Sequence, residues 1–96
     1  MRIRDLVASK RQQILEIASR HGARNIRLIG SVARGDERAD SDLDLLVSMD
    51  VGRSLLDLAG LALDVERLIG RPVDVATERS LRQKIRESVL REAKPL

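Results

Sequence analysis

The chain has 96 residues and a mass of 10.7 kDa, the size of one small domain, 1–96, with room for a single core. It has no Phe, Tyr, Trp or Cys and one histidine, His21; this excludes disulfides, iron–sulfur clusters, thiolate zinc sites, multi-histidine metal centres and aromatic platforms for stacking nucleobases. The net charge is +3 and the pI near 10.2, and 15 of the 18 bases are Arg, which suits bidentate contact with phosphate or carboxylate. The core must be built from 15 Leu, 8 Val, 7 Ile and the alanines. No apolar run approaches the length of a membrane span. The opening residues, MRIRDLVASKRQQ, lack the apolar stretch of a signal peptide, so the expected compartment is the cytoplasm.

In chain order, Ile3, Val7, Ile14, Ile17 and Ala18 form a helical stripe closed by His21-Gly22, and Lys10, on that stripe, is expected to snorkel. Residues 25–29 (NIRLI), bracketed by glycines, read as a first strand. Residues 30–39 form a turn-rich connection with room for one helical turn, and 41–48 (SDLDLLVS) a second strand. A long helix follows over about 53–69, capped by Ser54 or Asp50, with Leu55, Leu58, Ala59, Ala62, Val65 and Ile69 on one face; Gly70 and Pro72 end it. Residues 72–76 (PVDVA) read as a short third strand. Ser80 is placed to cap a last helix carrying Leu81, Ile85 and Val89, and 94–96 are expected to fray. The order α-β-β-α-β-α describes an α+β fold: one small mixed sheet with helices packed on it.

Five acids fall within nine residues, from Asp36 to Asp44. Asp42 and Asp44, two apart on a strand, project to the same face while Leu43, Leu45 and Val47 face the core. Adjacent carboxylates repel and raise each other's pKa, and a hard divalent cation such as Mg²⁺ relieves that repulsion. Asp74, between Val73 and Val75, joins the same face if the second and third strands pair in register. Three carboxylates on two strands can hold two Mg²⁺ ions for in-line phosphoryl displacement. Read singly, each is also an ordinary exposed acid awaiting an Arg partner. Gly30-Ser31, directly after the first strand, lets the backbone approach a phosphate with a hydroxyl beside it, and ten residues separate this pair from Asp42. The Walker A and dinucleotide-binding glycine patterns are absent. Asp40-x-Asp42-x-Asp44 opens like an EF-hand loop but puts Leu45 and Val51 where Gly and Glu are required.

Residues 30–47, GSVARGDERADSDLDLLV, resemble the G-S-x10-D-x-D motif of the DNA polymerase beta superfamily of nucleotidyltransferases, and within it the minimal nucleotidyltransferase branch. The downstream Gly-Arg-Pro-Val-Asp-Val is similar to that branch too, with Asp74 at the third-carboxylate position. The resemblance implies a nucleotidyltransferase fold that binds ATP with two Mg²⁺ ions. It implies that Gly30 and Ser31 meet the triphosphate, that Asp42, Asp44 and Asp74 ligate metal and carry catalysis, and that Asp74 receives the proton of the attacking hydroxyl. Arg34 and Arg38 flank the cradle as candidate partners for phosphate charge. In this branch the partner is often a HEPN-domain toxin, neutralised by transfer of AMP to a tyrosine.

The expected function is therefore Mg²⁺-dependent transfer of AMP from ATP to a tyrosine hydroxyl of a HEPN-domain toxin, an antitoxin activity. The alternative is a non-catalytic module that neutralises the same partner by masking it. A small-molecule transferase would need a substrate-binding domain the chain has no residues for, unless a homodimer builds the pocket. Nucleic acid is not an expected partner, because the acidic run interrupts any basic stripe. Without aromatics the base rests on aliphatic or Arg surfaces, so weak base selectivity is expected. An exposed apolar patch, on the last helix or around Leu55-Leu56, is expected to dock the partner.

Overall fold

The computed structural model describes residues 2–96. The elements are α1 (Ile3–Ser9), α2 (Arg11–Arg20), β1 (Ala23–Ile29), α3 (Gly30–Arg34), β2 (Leu43–Met49), α4 (Leu55–Ile69), β3 (Val73–Thr77), a 3₁₀ turn (Glu78–Ser80), α5 (Gln83–Glu92) and β4 (Lys94–Pro95). Four strands form one mixed sheet in the order β3-β2-β1-β4. β1 runs antiparallel to β2 and to β4, whereas β2 and β3 are parallel and joined by α4. This is the expected α+β architecture, with more elements than the six anticipated.

One face of the sheet carries the core. Leu43, Leu45 and Val47 of β2 are buried with Ile3 and Val7 of α1, Ile14, Ile17 and Ala18 of α2, and Leu61, Val65 and Ile69 of α4. At about 25 cal/mol per Å² of apolar surface, each fully buried Leu or Ile stabilises the fold by roughly 1.5–3 kcal/mol, which is how an aliphatic core holds a chain without aromatics. The opposite face carries Asp44, which lies opposite Ile29 in the antiparallel pair and Asp74 in the parallel one.

Several expectations change in detail. The first helical stripe is two helices that meet at Lys10. No Gly or Pro breaks it; the Ser9 hydroxyl donates to the Leu6 carbonyl (2.8 Å), a back-bond that bends helices. β1 starts at Ala23 and bulges between Arg24 and Arg27, with Asn25 at φ +52°. β2 starts at Leu43, so Asp42 flanks the strand rather than lying inside it. Ser54 caps α4: its hydroxyl accepts from the Leu56 amide while Asp57 accepts from the Ser54 amide. Leu55 and Ala59 are solvent-exposed, and Leu61 is the buried residue in their place, because α4 rolls its Leu61–Val65–Ile69 row onto the sheet.

Ser80 does not cap α5. It exchanges hydrogen bonds with Thr77 inside the 3₁₀ turn, and α5 begins two residues beyond Leu81 without a side-chain cap. None of the residues of α5 is buried. The terminal residues do not fray: Lys94 and Pro95 pair with β1, the Leu96 amide donates to the Ile26 carbonyl (3.0 Å), and the Arg11 side chain donates to the Leu96 carbonyl (2.7 Å). No helix among the described residues is long and apolar enough to cross a membrane.

Candidate active site

The site is built where β1 ends and β2 and β3 begin. β1 delivers Gly30 at φ +69°, a left-handed backbone that side chains other than Gly adopt at a cost. A Cβ on Gly30 would stand 2.5 Å from Oδ2 of Asp44, so the glycine backbone lies directly against that carboxylate. Ser31 follows in the first turn of α3 and is half-buried. The turn ends at Arg34, whose guanidinium reaches Asp36 (3.2 Å) and Glu92 of α5 (3.3 Å). Those two contacts hold its pKa above the ordinary value.

Asp44 and Asp74 are direct partners in the parallel β2–β3 ladder. Adjacent strands stand about 4.8 Å apart, so two carboxylates in one register row are close neighbours. Burial raises the Asp44 pKa most, and repulsion from Asp74 and Asp42 raises it further; the Arg34 charge alone opposes them. The electrostatic balance at Asp44 is therefore one guanidinium against two carboxylates. Asp42 and Asp74 are exposed and Asp44 half-buried, giving a carboxylate edge open to solvent on one side and to Gly30-Ser31 on the other.

Among the described residues, no three acidic or imidazole side chains are drawn together into a ready-made metal cluster. Asp44 and Asp74, paired in register, match the one or two carboxylates that usually hold Mg²⁺ beside its waters and substrate phosphates. The donor set is all oxygen, and the repulsion felt by Asp44 is what a divalent ion relieves.

The expected residues thus fall into two groups. Gly30, Ser31, Arg34, Asp42, Asp44 and Asp74 gather at one end of the sheet. Arg38 stands apart from them, in a cavity of about 320 Å³ lined with Arg2, Ile3, Glu37, Ala39 and Arg71. Three further residues around the connection from α3 to β2 had no role assigned from sequence: Arg2 pairs with Glu37, and Arg71 donates to the carbonyls of Ala39 and Ser41. Contacts that span more than thirty residues leave no local signal, although Arg71 sits within the Gly-Arg-Pro-Val-Asp-Val run.

The nucleotidyltransferase domain family model matches residues 10–96. A Methanocaldococcus jannaschii protein named as a protein adenylyltransferase is 36% identical over 83 residues, which is 86% of this chain and 89% of that protein. The protein adenylyltransferase MntA of Thermococcus cleftensis is 40% identical over 77 residues, 80% of this chain and 78% of MntA. A solved minimal nucleotidyltransferase superposes with a TM-score of 0.86 at 50% identity, covering 97% of this chain and 95% of the other. A toxin–antitoxin complex crystallised with AMP-PNP shares the fold, with a TM-score of 0.74 at 21% identity over 88% of this chain and 69% of the matched one.

Proposed function

Because the chain belongs to the nucleotidyltransferase domain family, we propose that it is a Mg²⁺-dependent protein adenylyltransferase. On this reading it moves AMP from ATP to a tyrosine hydroxyl of a HEPN-domain toxin and acts as its antitoxin. The observation that carries the reading is the row Gly30–Asp44–Asp74: a glycine backbone against one carboxylate, with a second carboxylate in register beside it. The naming of the relatives as protein adenylyltransferases and the toxin–antitoxin complex with AMP-PNP support the donor and the kind of partner.

In this reading Gly30 and Ser31 receive the triphosphate, the glycine by leaving room and the serine by its hydroxyl. Asp42, Asp44 and Asp74 hold two Mg²⁺ ions, which supply charge neutralisation of the triphosphate and in-line alignment. The acceptor oxygen forms a bond to the α-phosphorus as the bond from that phosphorus to the β-bridging oxygen breaks. Pyrophosphate leaves with the electron pair, and Asp74, the exposed carboxylate of the row, takes the hydroxyl proton. Arg34, next to Asp44 and tied to α5, offsets negative charge at the phosphates. Arg38 serves charge at longer range from its own cavity.

Val51, Leu55 and Leu56 stand exposed at the start of α4, Leu56 at 83%, and Ile85 and Leu90 are exposed on α5. Each set offers apolar side chains on which a protein acceptor docks, and both support the second reading, neutralisation by masking alone. The deciding experiment mixes the chain, Mg²⁺ and ATP labelled on the α-phosphate with a HEPN-domain protein encoded beside it. Label on that protein with wild type and none with Asp44→Asn supports transfer. Co-purification with both forms and no label refutes it in favour of masking.

A further inference from the structure

The eight residues 35–42 that carry the chain from the Gly30-Ser31 turn to Asp42 have no regular secondary structure beyond turns, yet they are held from outside at several points. The Glu37 carboxylate, only 2% exposed, pairs with Arg2 from the start of α1. The Arg71 guanidinium donates to the carbonyl of Ala39 and, at 2.8 Å, to that of Ser41. The Leu43 amide donates to the Pro72 carbonyl (3.0 Å). Inside the loop, the Arg38 amide donates to the Ser41 hydroxyl (2.7 Å) and the Ser41 amide to the Arg38 carbonyl (3.0 Å).

Arg71 occupies a singular place in this set. It lies one residue before Pro72 and three before Asp74, and it grips the carbonyl immediately before Asp42. Asp42 lies outside the β2 ladder, so strand pairing does not fix it as it fixes Asp44 and Asp74. Both bonds come from Nη2, whose two hydrogens lie in the rigid plane of the guanidinium and so reach the two carbonyls in fixed relation.

We propose that Arg71 is a positioning residue for Asp42: its grip on the Ala39 and Ser41 carbonyls sets the loop so that Asp42 stays within reach of an ion bound at the Asp44–Asp74 row. The inference rests on the reading that these carboxylates hold the metal. Without the grip, Asp42 samples positions away from the row, and metal binding weakens although every ligand is still present.

The test titrates Mn²⁺ against the full chain without nucleotide, whose triphosphate would itself chelate the ion, reading free Mn²⁺ by electron paramagnetic resonance at 25 °C. Arg71→Ala is expected to raise the Mn²⁺ dissociation constant at least fivefold, and Arg71→Lys to recover part of it. Hydrogen exchange in residues 39–43 should quicken in the same order. Ser54→Ala, which removes the α4 cap far from the loop, is the control for general loss of stability and should leave the constant unchanged. If Arg71→Ala does not fold, Arg71→Gln, with its single amide group, carries the comparison. Arg71→Ala or Arg71→Gln binding Mn²⁺ like wild type overturns the proposal, as does Ser54→Ala weakening binding to the same degree. Wild type that takes up no Mn²⁺ under these conditions overturns the metal-site reading itself and this inference with it.

Discussion

Replacing Gly30 by Ala separates backbone strain from active-site geometry. The residue sits at φ +69°, and the new Cβ would meet Asp44 Oδ2 at 2.5 Å, Cγ at 3.3 Å and Cβ at 3.4 Å. The left-handed conformation costs an alanine about 1–2 kcal/mol. The contact with Oδ2 is nearly an ångström inside ordinary van der Waals distance, and overpacking of this kind costs about 1–3 kcal/mol, less where the side chain can swing aside. Asp44 can rotate its carboxylate, so the combined loss should be about 2–3 kcal/mol. A domain of this length has a melting entropy of roughly 0.2 kcal/mol per kelvin, so the melting temperature should fall by about 10–15 °C. Its total stability of roughly 5–14 kcal/mol leaves it folded at 25 °C. Activity should suffer more than stability, because displacing a reacting-site group by about 1 Å can cost on the order of 100-fold. The assay is a double-mutant cycle by thermal melts on wild type, Gly30→Ala, Asp44→Ala and the double variant, with label transfer on the first two. In the Asp44→Ala background only the strain should remain, giving a coupling of about 1 kcal/mol. Costs that simply add, together with undiminished transfer by Gly30→Ala, would refute the contact between this glycine and this carboxylate.

Asp44→Asn should abolish transfer yet raise the melting temperature at pH 7 in metal-free buffer. Its pKa is raised in the folded state, so between the ordinary aspartate value and the raised one the native chain holds more protons than the unfolded chain. Stability therefore falls as pH rises through that window, the penalty is complete above it, and the advantage of Asn should vanish near pH 3; equal melts at pH 7 would contradict this. Ser54→Ala should cost about 1 kcal/mol, the usual worth of an N-cap, or about 5 °C, with transfer intact, as read by melts and the label assay. Leu56→Asp, at an exposed position, should change stability by less than about 0.5 kcal/mol while weakening capture of the proposed HEPN-domain partner in a pull-down; undiminished capture would remove Leu56 from the proposed docking surface.

What the sequence determined by itself lies in short-range pattern. The period-two alternation around Leu43, Leu45 and Val47 puts Asp44 on the face opposite the core, and Ser54 and Gly70 bound α4 because caps are local chemistry. The composition settled that the core is aliphatic. Only the tertiary structure decided that Asp74 stands in register beside Asp44, since the pairing of these parallel strands is set by how the α4 that joins them packs on the sheet. It also turned Leu55 outward, stitched Lys94 and Pro95 onto β1, and ended Ser80's tie to α5 in favour of Thr77. The grip of Arg71 on Ala39 and Ser41 belongs to the same class: its partners lie 32 and 30 residues away, beyond any periodicity, and the folded sheet alone brings them together.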